Sequence, residues 1–133
     1  MSAGGRAGSG RRRSRAGSAV LLAGILVWAG CTPLPPARPV TDIGLIAGRW
    51  QGQIRFGVGG YELFYPTISP DGTLVASWDS VTRYGKVTLE PGRTRFSLYI
   101  WSGTLDYLEG AGDRIILMKE DFGSWDAIVR PLR

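Results

Sequence analysis

From Gly48 onward the chain alternates. In Trp50-Gln51-Gly52-Gln53-Ile54-Arg55-Phe56, positions 50, 52, 54 and 56 are apolar or small, whereas 49, 51, 53 and 55 are polar or charged. Successive side chains of an extended backbone point to opposite sides, so a period of two marks a strand with one buried face. Similar runs follow at about Tyr61 to Ile68, Thr73 to Ser80, Arg83 to Leu89, Thr94 to Trp101, Thr104 to Leu108, Arg114 to Lys119 and Trp125 to Leu132, which makes eight strands. Between them stand Gly57-Val58-Gly59-Gly60, Ser69-Pro70-Asp71-Gly72, Glu90-Pro91-Gly92, Ser102-Gly103, Glu109-Gly110-Ala111-Gly112-Asp113 and Glu120-Asp121-Phe122-Gly123. In such turns glycine supplies positive φ and proline presets the first corner. Connections this short allow only antiparallel neighbours in sequence order, and a meander of this size hides its two edges best by closing on itself. The expectation is an all-β, up-and-down antiparallel barrel over residues 48–133, with at most a turn or two of helix at Asp42 to Ala47. Its expected core is Trp50, Ile54, Leu74, Trp78, Val87, Phe96, Leu98, Ile115, Leu117, Trp125 and Ala127.

A chain of 133 residues has room for one such domain, since domains usually run to roughly 100 to 200 residues. The formal net charge of +5 invites a nucleic-acid reading until the charges are located. The whole excess lies in Arg6, Arg11, Arg12, Arg13 and Arg15, and from Cys31 onward eleven basic residues meet eleven acidic ones. The part that folds therefore lacks the basic footprint of a DNA or RNA binder.

Those arginines open a leader of three parts: a positive segment, an apolar run from Ala19 to Ala29, and small residues before a cleavage point. This is the grammar of an export signal. The apolar run is well short of the roughly 20 residues that span a bilayer as a helix. Val27-Trp28-Ala29-Gly30-Cys31 resembles the lipobox of bacterial lipoproteins, with Ala29 and Gly30 as the small residues before the lipidated cysteine and Trp28 where that family usually has leucine. The resemblance implies a signal peptide over 1–30 and a diacylglyceryl anchor on Cys31. It further implies a domain held on the periplasmic or extracellular side of the cell membrane or outer membrane. A plain signal peptide, an uncleaved anchor and twin-arginine export are the alternatives. Residues 31–47, with four prolines from Pro33 to Pro39, read as a semi-rigid tether of polyproline type; a proline-rich ligand for another protein is the other reading.

Gly48-Arg49-Trp50 resembles the Gly-x-Trp motif that opens the first strand of lipocalin-like barrels. In that family the tryptophan plugs the barrel base under an arginine near the end of the last strand, which implies a pair between Trp50 and Arg130. Thr104-Leu105-Asp106-Tyr107 has one residue more than the family's Thr-Asp-Tyr signature. Short strands make a barrel narrow enough for its own side chains to fill.

The chain contains no histidine, which removes Ser-His-Asp triads, imidazole acid–base chemistry and histidine metal sites. Its single cysteine is the candidate anchor. Glu120-Asp121 with Asp113 could suggest a calcium loop or an acid pair, but their turn positions and the missing twelve-residue loop pattern point to solvated charges. No metal, cofactor or catalytic group is expected. Arg93, Arg95, Ser97, Tyr99 and Trp101 alternate with Phe96, Leu98 and Ile100. Arg93, Arg95, Tyr99 and Trp101 are thus a candidate binding stripe, set against ordinary outward-facing strand residues, because Arg and large aromatics dominate binding hot spots. Three classes of function follow. The first is a membrane-anchored, non-catalytic barrel that binds an envelope protein, a polymer or a small apolar molecule. The second is a lysozyme-inhibitor-like barrel, since Ser102-Gly103 followed by Tyr107 resembles, with one residue too many, the Ser-Gly-x-x-Tyr loop of those lipoproteins. The third is an enzyme that uses carboxylates alone.

Overall fold

The structure, a computed structural model, describes residues 33–133. The leader, with Ala29, Gly30 and Cys31, lies outside the described residues. Contacts divide the chain into Met1–Leu34 and Pro35–Arg133, and the barrel belongs to the second unit.

Eight strands run as a meander: β2 (Gly48–Phe56), β3 (Tyr61–Ile68), β4 (Thr73–Trp78), β5 (Val81–Glu90), β6 (Arg93–Leu98), β7 (Trp101–Gly110), β8 (Asp113–Glu120) and β9 (Trp125–Pro131). Each pairs antiparallel with the next, and β9 returns to pair with β2 from Trp50↔Pro131 to Phe56↔Trp125, so the barrel closes. A short strand β1 (Ala37–Arg38) adds to β7 at Leu108 and Tyr107. The hairpins after β2, β4, β6 and β8 lie at one end, here the upper end. Those after β3, β5 and β7 lie at the lower end.

Closure of so small a barrel demands sharply coiled strands, and glycine supplies the close approach. A methyl group on Gly52 would sit 1.9 Å from the Ile128 carbonyl oxygen, and one on Gly85 would sit 1.8 Å from that of Ser97. At these points the backbones of neighbouring strands occupy the place of a side chain.

The interior holds Trp50, Ile54, Leu74, Trp78, Val87, Phe96, Leu98, Trp125 and Ala127, as alternation predicts, together with Phe64, Ile68, Leu105, Tyr107, Ile116, Met118 and Val129. On β8 the expectation fails by one residue. Met118 pairs with Leu105 and Ala127, and Ile116 with Tyr107 and Val129, so the even positions face inward. Ile115-Ile116-Leu117-Met118 is apolar throughout, and a run without alternation cannot fix its own face. Leu117 is half-exposed on the outer side. Ile115 is fully buried there, opposite Leu108.

The lower end is closed by the segment expected to be a tether. Pro36 O accepts from Glu109 N at 3.1 Å, and a methyl on Gly110 would meet Pro36 Cδ at 3.2 Å. A single 3-10 turn at Ile43–Leu45 is capped by Asp42, whose carboxylate accepts from Gly44 N at 3.2 Å. Ile46 is fully buried, with Val40 and Ile43 packed against the core. Trp50 Nε1 donates to Ile46 O at 2.9 Å, and Arg114 donates through one terminal nitrogen to Leu45 O at 2.8 Å. The same guanidinium stands 5.2 Å over the Trp50 ring and 5.7 Å from that of Tyr107, and its Nε donates to the Tyr107 hydroxyl at 2.9 Å. Tyr107 in turn donates to Glu109.

The arginine over the basal tryptophan is thus Arg114. Arg130 is opposite Gln51 in register, on the outer face, and pairs with Asp113 at 3.5 Å. Trp50 and Arg130 differ by one position of parity across the β2–β9 ladder, which puts them on opposite sides of the wall. The folded unit begins at Pro35 rather than at Gly48.

Two outcomes test this account by urea denaturation. Gly85→Ala should lose about 3 kcal/mol or more of unfolding free energy. Gly60→Ala, with nothing within 4 Å of the added methyl, should stay within about 0.5 kcal/mol of the parent. A chain starting at Pro35 should match the parent. One starting at Gly48 loses Ile46 and strands the buried Trp50 Nε1, for about 4 kcal/mol or more.

Candidate functional site

The two ends of the barrel differ in how their polar groups are satisfied. At the lower end Trp50, Tyr107 and Arg114 are joined by hydrogen bonds. At the upper end two buried donors have no partner among the described residues, Arg83 Nε and Trp125 Nε1. A buried donor without an acceptor costs about 1–3 kcal/mol, so each calls for an explanation.

Arg83 lies on β5 opposite Ala76, a fully buried residue, in a face otherwise made of Val81, Gly85 and Val87. That register turns its side chain into the barrel, and the small Ala76 gives it room. The guanidinium lies 4.2 Å from the centroid of the Tyr99 ring and belongs to none of the ion pairs among the described residues. Tyr99 meets Trp101 edge-on at 5.8 Å. Behind Trp101 stand Phe56, Trp78 and Trp125, with centroids 6.3, 6.0 and 6.0 Å away. Phe64 and Phe96 extend the cluster through Trp125 at 6.2 and 5.3 Å.

The β6–β7 connection explains this gathering. Leu98 pairs directly with Trp101, so only Tyr99 and Ile100 form the turn, and Trp101 shares the inward face of Leu98. Tyr99 takes the first corner at φ 56°, a left-handed backbone that costs an L residue with a large side chain roughly 1–2 kcal/mol and suits glycine. The expected stripe is accordingly divided. Arg93 and Arg95 do face outward, but Arg93 pairs with Glu90 at 3.4 Å and Arg95 with Asp121 at 2.5 Å. Tyr99 stands at the tip, and Trp101 is inside. Ile100, which alternation puts on the face of Phe96 and Leu98, is 75% exposed. Sequence reasoning missed Arg83, although an arginine between Val81 and Gly85 on an apolar face is the available signal.

Other apolar tips surround this mouth. Val58 in the β2–β3 turn is fully exposed and Phe122 in the β8–β9 turn is 95% exposed. Phe122 is held out by a rigid turn. The buried Glu120 carboxylate accepts from Phe122 N and Ser124 N, both at 3.0 Å, and from Ser124 Oγ at 2.6 Å. The Ser124 and Phe122 bonds hold the Glu120 pKa below its usual value. The paired hydrogen bonds from Arg95, at 2.6 and 2.5 Å, do the same for Asp121.

Two clefts open on the sides of the barrel. One of about 740 Å³ runs between Ala37–Thr41 and the β5–β6 turn, where Arg38 and Arg93 face Glu90 and Asp106 over Leu89 and Tyr107. One of about 460 Å³ is bounded by Glu62, Leu63, Tyr65, Ser77, Trp78 and Asp79. Among the described residues no three metal-ligating side chains gather. Asp113 and the Glu120-Asp121 pair sit at opposite ends of β8. Ser102-Gly103 and Tyr107 lie within β7 rather than in a loop, and Tyr107 is buried in the lower-end network.

The lowered carboxyl values fix a pH dependence. Folding depresses both pKa values, so their stabilisation is complete above the unfolded carboxyl range, about 3.9–4.3, and is lost as pH falls through the folded values. The melting temperature should drop with acid below about pH 4.5, and Glu120→Gln with Asp121→Asn should flatten that drop. An unchanged slope in the double variant counts against the turn network. No family model, curated protein or solved structure matches the chain.

Proposed function

We propose that this chain is an exported, lipid-anchored binding module that performs no chemistry of its own and meets its ligand through the upper mouth of the barrel. The observation that carries the mouth is the coincidence, at one end, of Arg83 and Trp125 with unused donors and of Tyr99, Ile100, Val58 and Phe122 exposed around them. Exposed apolar groups that cluster rather than scatter mark interaction surfaces. The lipobox-like run ending at Cys31 supports the anchor. The chain joins the barrel at Pro35, beside Gly110 at the lower end, four residues after Cys31. A span of four residues reaches at most about 14 Å, so a lipid on Cys31 would keep the domain close to the membrane. The balanced charge beyond residue 30 fits an anchor made by acyl chains, each buried CH₂ contributing about 0.8 kcal/mol, with no need of a basic patch. A lysozyme-inhibitor role draws no support from β7, where the residues that suggest it are interior or within a strand.

Metabolic labelling with palmitate tests the anchor. The parent should incorporate label and Cys31→Ser none, with cleavage before residue 31 abolished in the variant. Trp28→Leu should be processed at least as well as the parent. Label retained by Cys31→Ser, or absent from the parent, overturns the anchor and leaves the mouth to be judged on its own.

A further inference from the structure

The geometry points to a carboxylate, carried next to a flat apolar group, as the chemistry that the upper mouth recognises, with Arg83 taking the carboxylate and Tyr99 and Trp101 contacting the apolar group. This rests on the reading of the barrel as a binding module, and not on the lipid anchor.

Donors dominate the site. Arg83 presents a guanidinium whose Nε is shielded from solvent without an acceptor, and Trp125, 2% exposed, adds a second unused N–H among the same aromatic residues. Neither donor can accept, so a ligand must bring acceptor atoms. Of the acidic groups at this end of the barrel, Glu120 has its oxygens committed to Phe122 and Ser124, and Asp121 is committed to Arg95. Arg83 is thus left with its charge unmatched.

Charge selects the anion. One arginine in an aromatic setting balances one negative charge, and its planar fork matches the two oxygens of a carboxylate. A phosphate monoester carries close to two charges at neutral pH, of which one would be left uncompensated against Trp and Phe rings. Asp79 and Glu62, which bound the neighbouring cleft with Trp78, disfavour the second charge further.

The apolar half of the ligand follows from Tyr99. Tyr99 is 59% exposed although Arg83 lies over its ring, and its backbone stays at φ 56°, where glycine would relieve the strain. A strained, exposed aromatic residue beside an unpaired cation is the pattern of a position kept for contact rather than for folding. Two sources offer this chemistry: a small free aromatic acid, and the C-terminal residue of a peptide that ends in Phe or Trp.

Calorimetric titration of the full-length protein in phosphatidylcholine nanodiscs separates them. One arm compares 2-naphthoate with 2-naphthamide, and the other compares acetyl-Gly-Gly-Phe as the free acid with the same peptide amidated. In at least one arm the acid should bind at least tenfold more tightly than the amide, and the arm that shows it identifies the source. Arg83→Gln should abolish the preference. Tyr99→Gly should weaken acid and amide together by about tenfold, keep their ratio, and leave the melting temperature equal to or above the parent's. 2-Naphthyl phosphate should bind more weakly than 2-naphthoate. Equal binding of acid and amide in both arms, no binding in either, or a preference that survives Arg83→Gln overturns the inference. Photo-cross-linking from position 100 or 122 in cells then tells the two failures apart. A captured partner leaves the mouth as a binding surface for other chemistry, and no capture with no binding removes both readings.

Discussion

The structure depends on the meeting of β2 with β9. Until that ladder forms, the meander has two open edges; once it forms, the wall has no free edge among its eight strands. Closure at this radius is set by strands that bend hard enough to bring backbone within side-chain distance of backbone, at Gly52 against Ile128 and at Gly85 against Ser97. The narrow bore then fills with the molecule's own side chains. Leu74, Ile54, Leu98 and Met118 fill the middle of the barrel as core, so its accessible surface lies at its ends and flanks.

The ends are built on opposite principles. Below, Arg114 joins the strap to the wall: it reaches Leu45 O, the Tyr107 hydroxyl and the face of Trp50 at once. The bond to Leu45 O ties β8 to a segment 69 residues away, while the same guanidinium holds its own hairpin through Tyr107, which is a structural use of arginine's several donors. Above, Arg83 also lies against an aromatic ring, yet it makes no hydrogen bond among the described residues. The same residue type beside the same kind of partner holds the fold together at one end and is left with unused capacity at the other.

Strict alternation made much of this legible in the sequence. β3 runs from Tyr61 to Ile68, the limits that alternation and its flanking glycines and proline suggest, and Trp50, Ile54 and Leu74 face inward for the same reason. Where alternation lapsed, so did the reading. Ile115 to Met118 offers no polar residue to set its face. Tyr99-Ile100 contains neither glycine nor proline, so a tight turn there was invisible, and Trp101 was assigned to the wrong side of a strand that had already ended. Arg114 was hidden by a different limit. Which arginine covers Trp50 is decided by register across three strands, and register is not written in any single segment. Arg83 was visible as a charge on an apolar face but had no neighbour in sequence to give it meaning, since Tyr99 comes to it from the next hairpin.

The short strand β1 has a mechanical consequence. It runs antiparallel to β7 from the lower end upward, and the chain that precedes it leaves past Gly110. Tension applied to Pro35 away from the barrel therefore acts along the axis of β1 and loads its ladder contacts together, in shear, rather than peeling them in succession. Behind them the load passes to the Asp42 turn and then to Leu45 and Ile46, which Arg114 and Trp50 grip from inside the barrel. A domain tugged from its amino-terminal side thus meets resistance first in a two-residue clasp and then in its own base, while the mouth at the far end carries none of the strain.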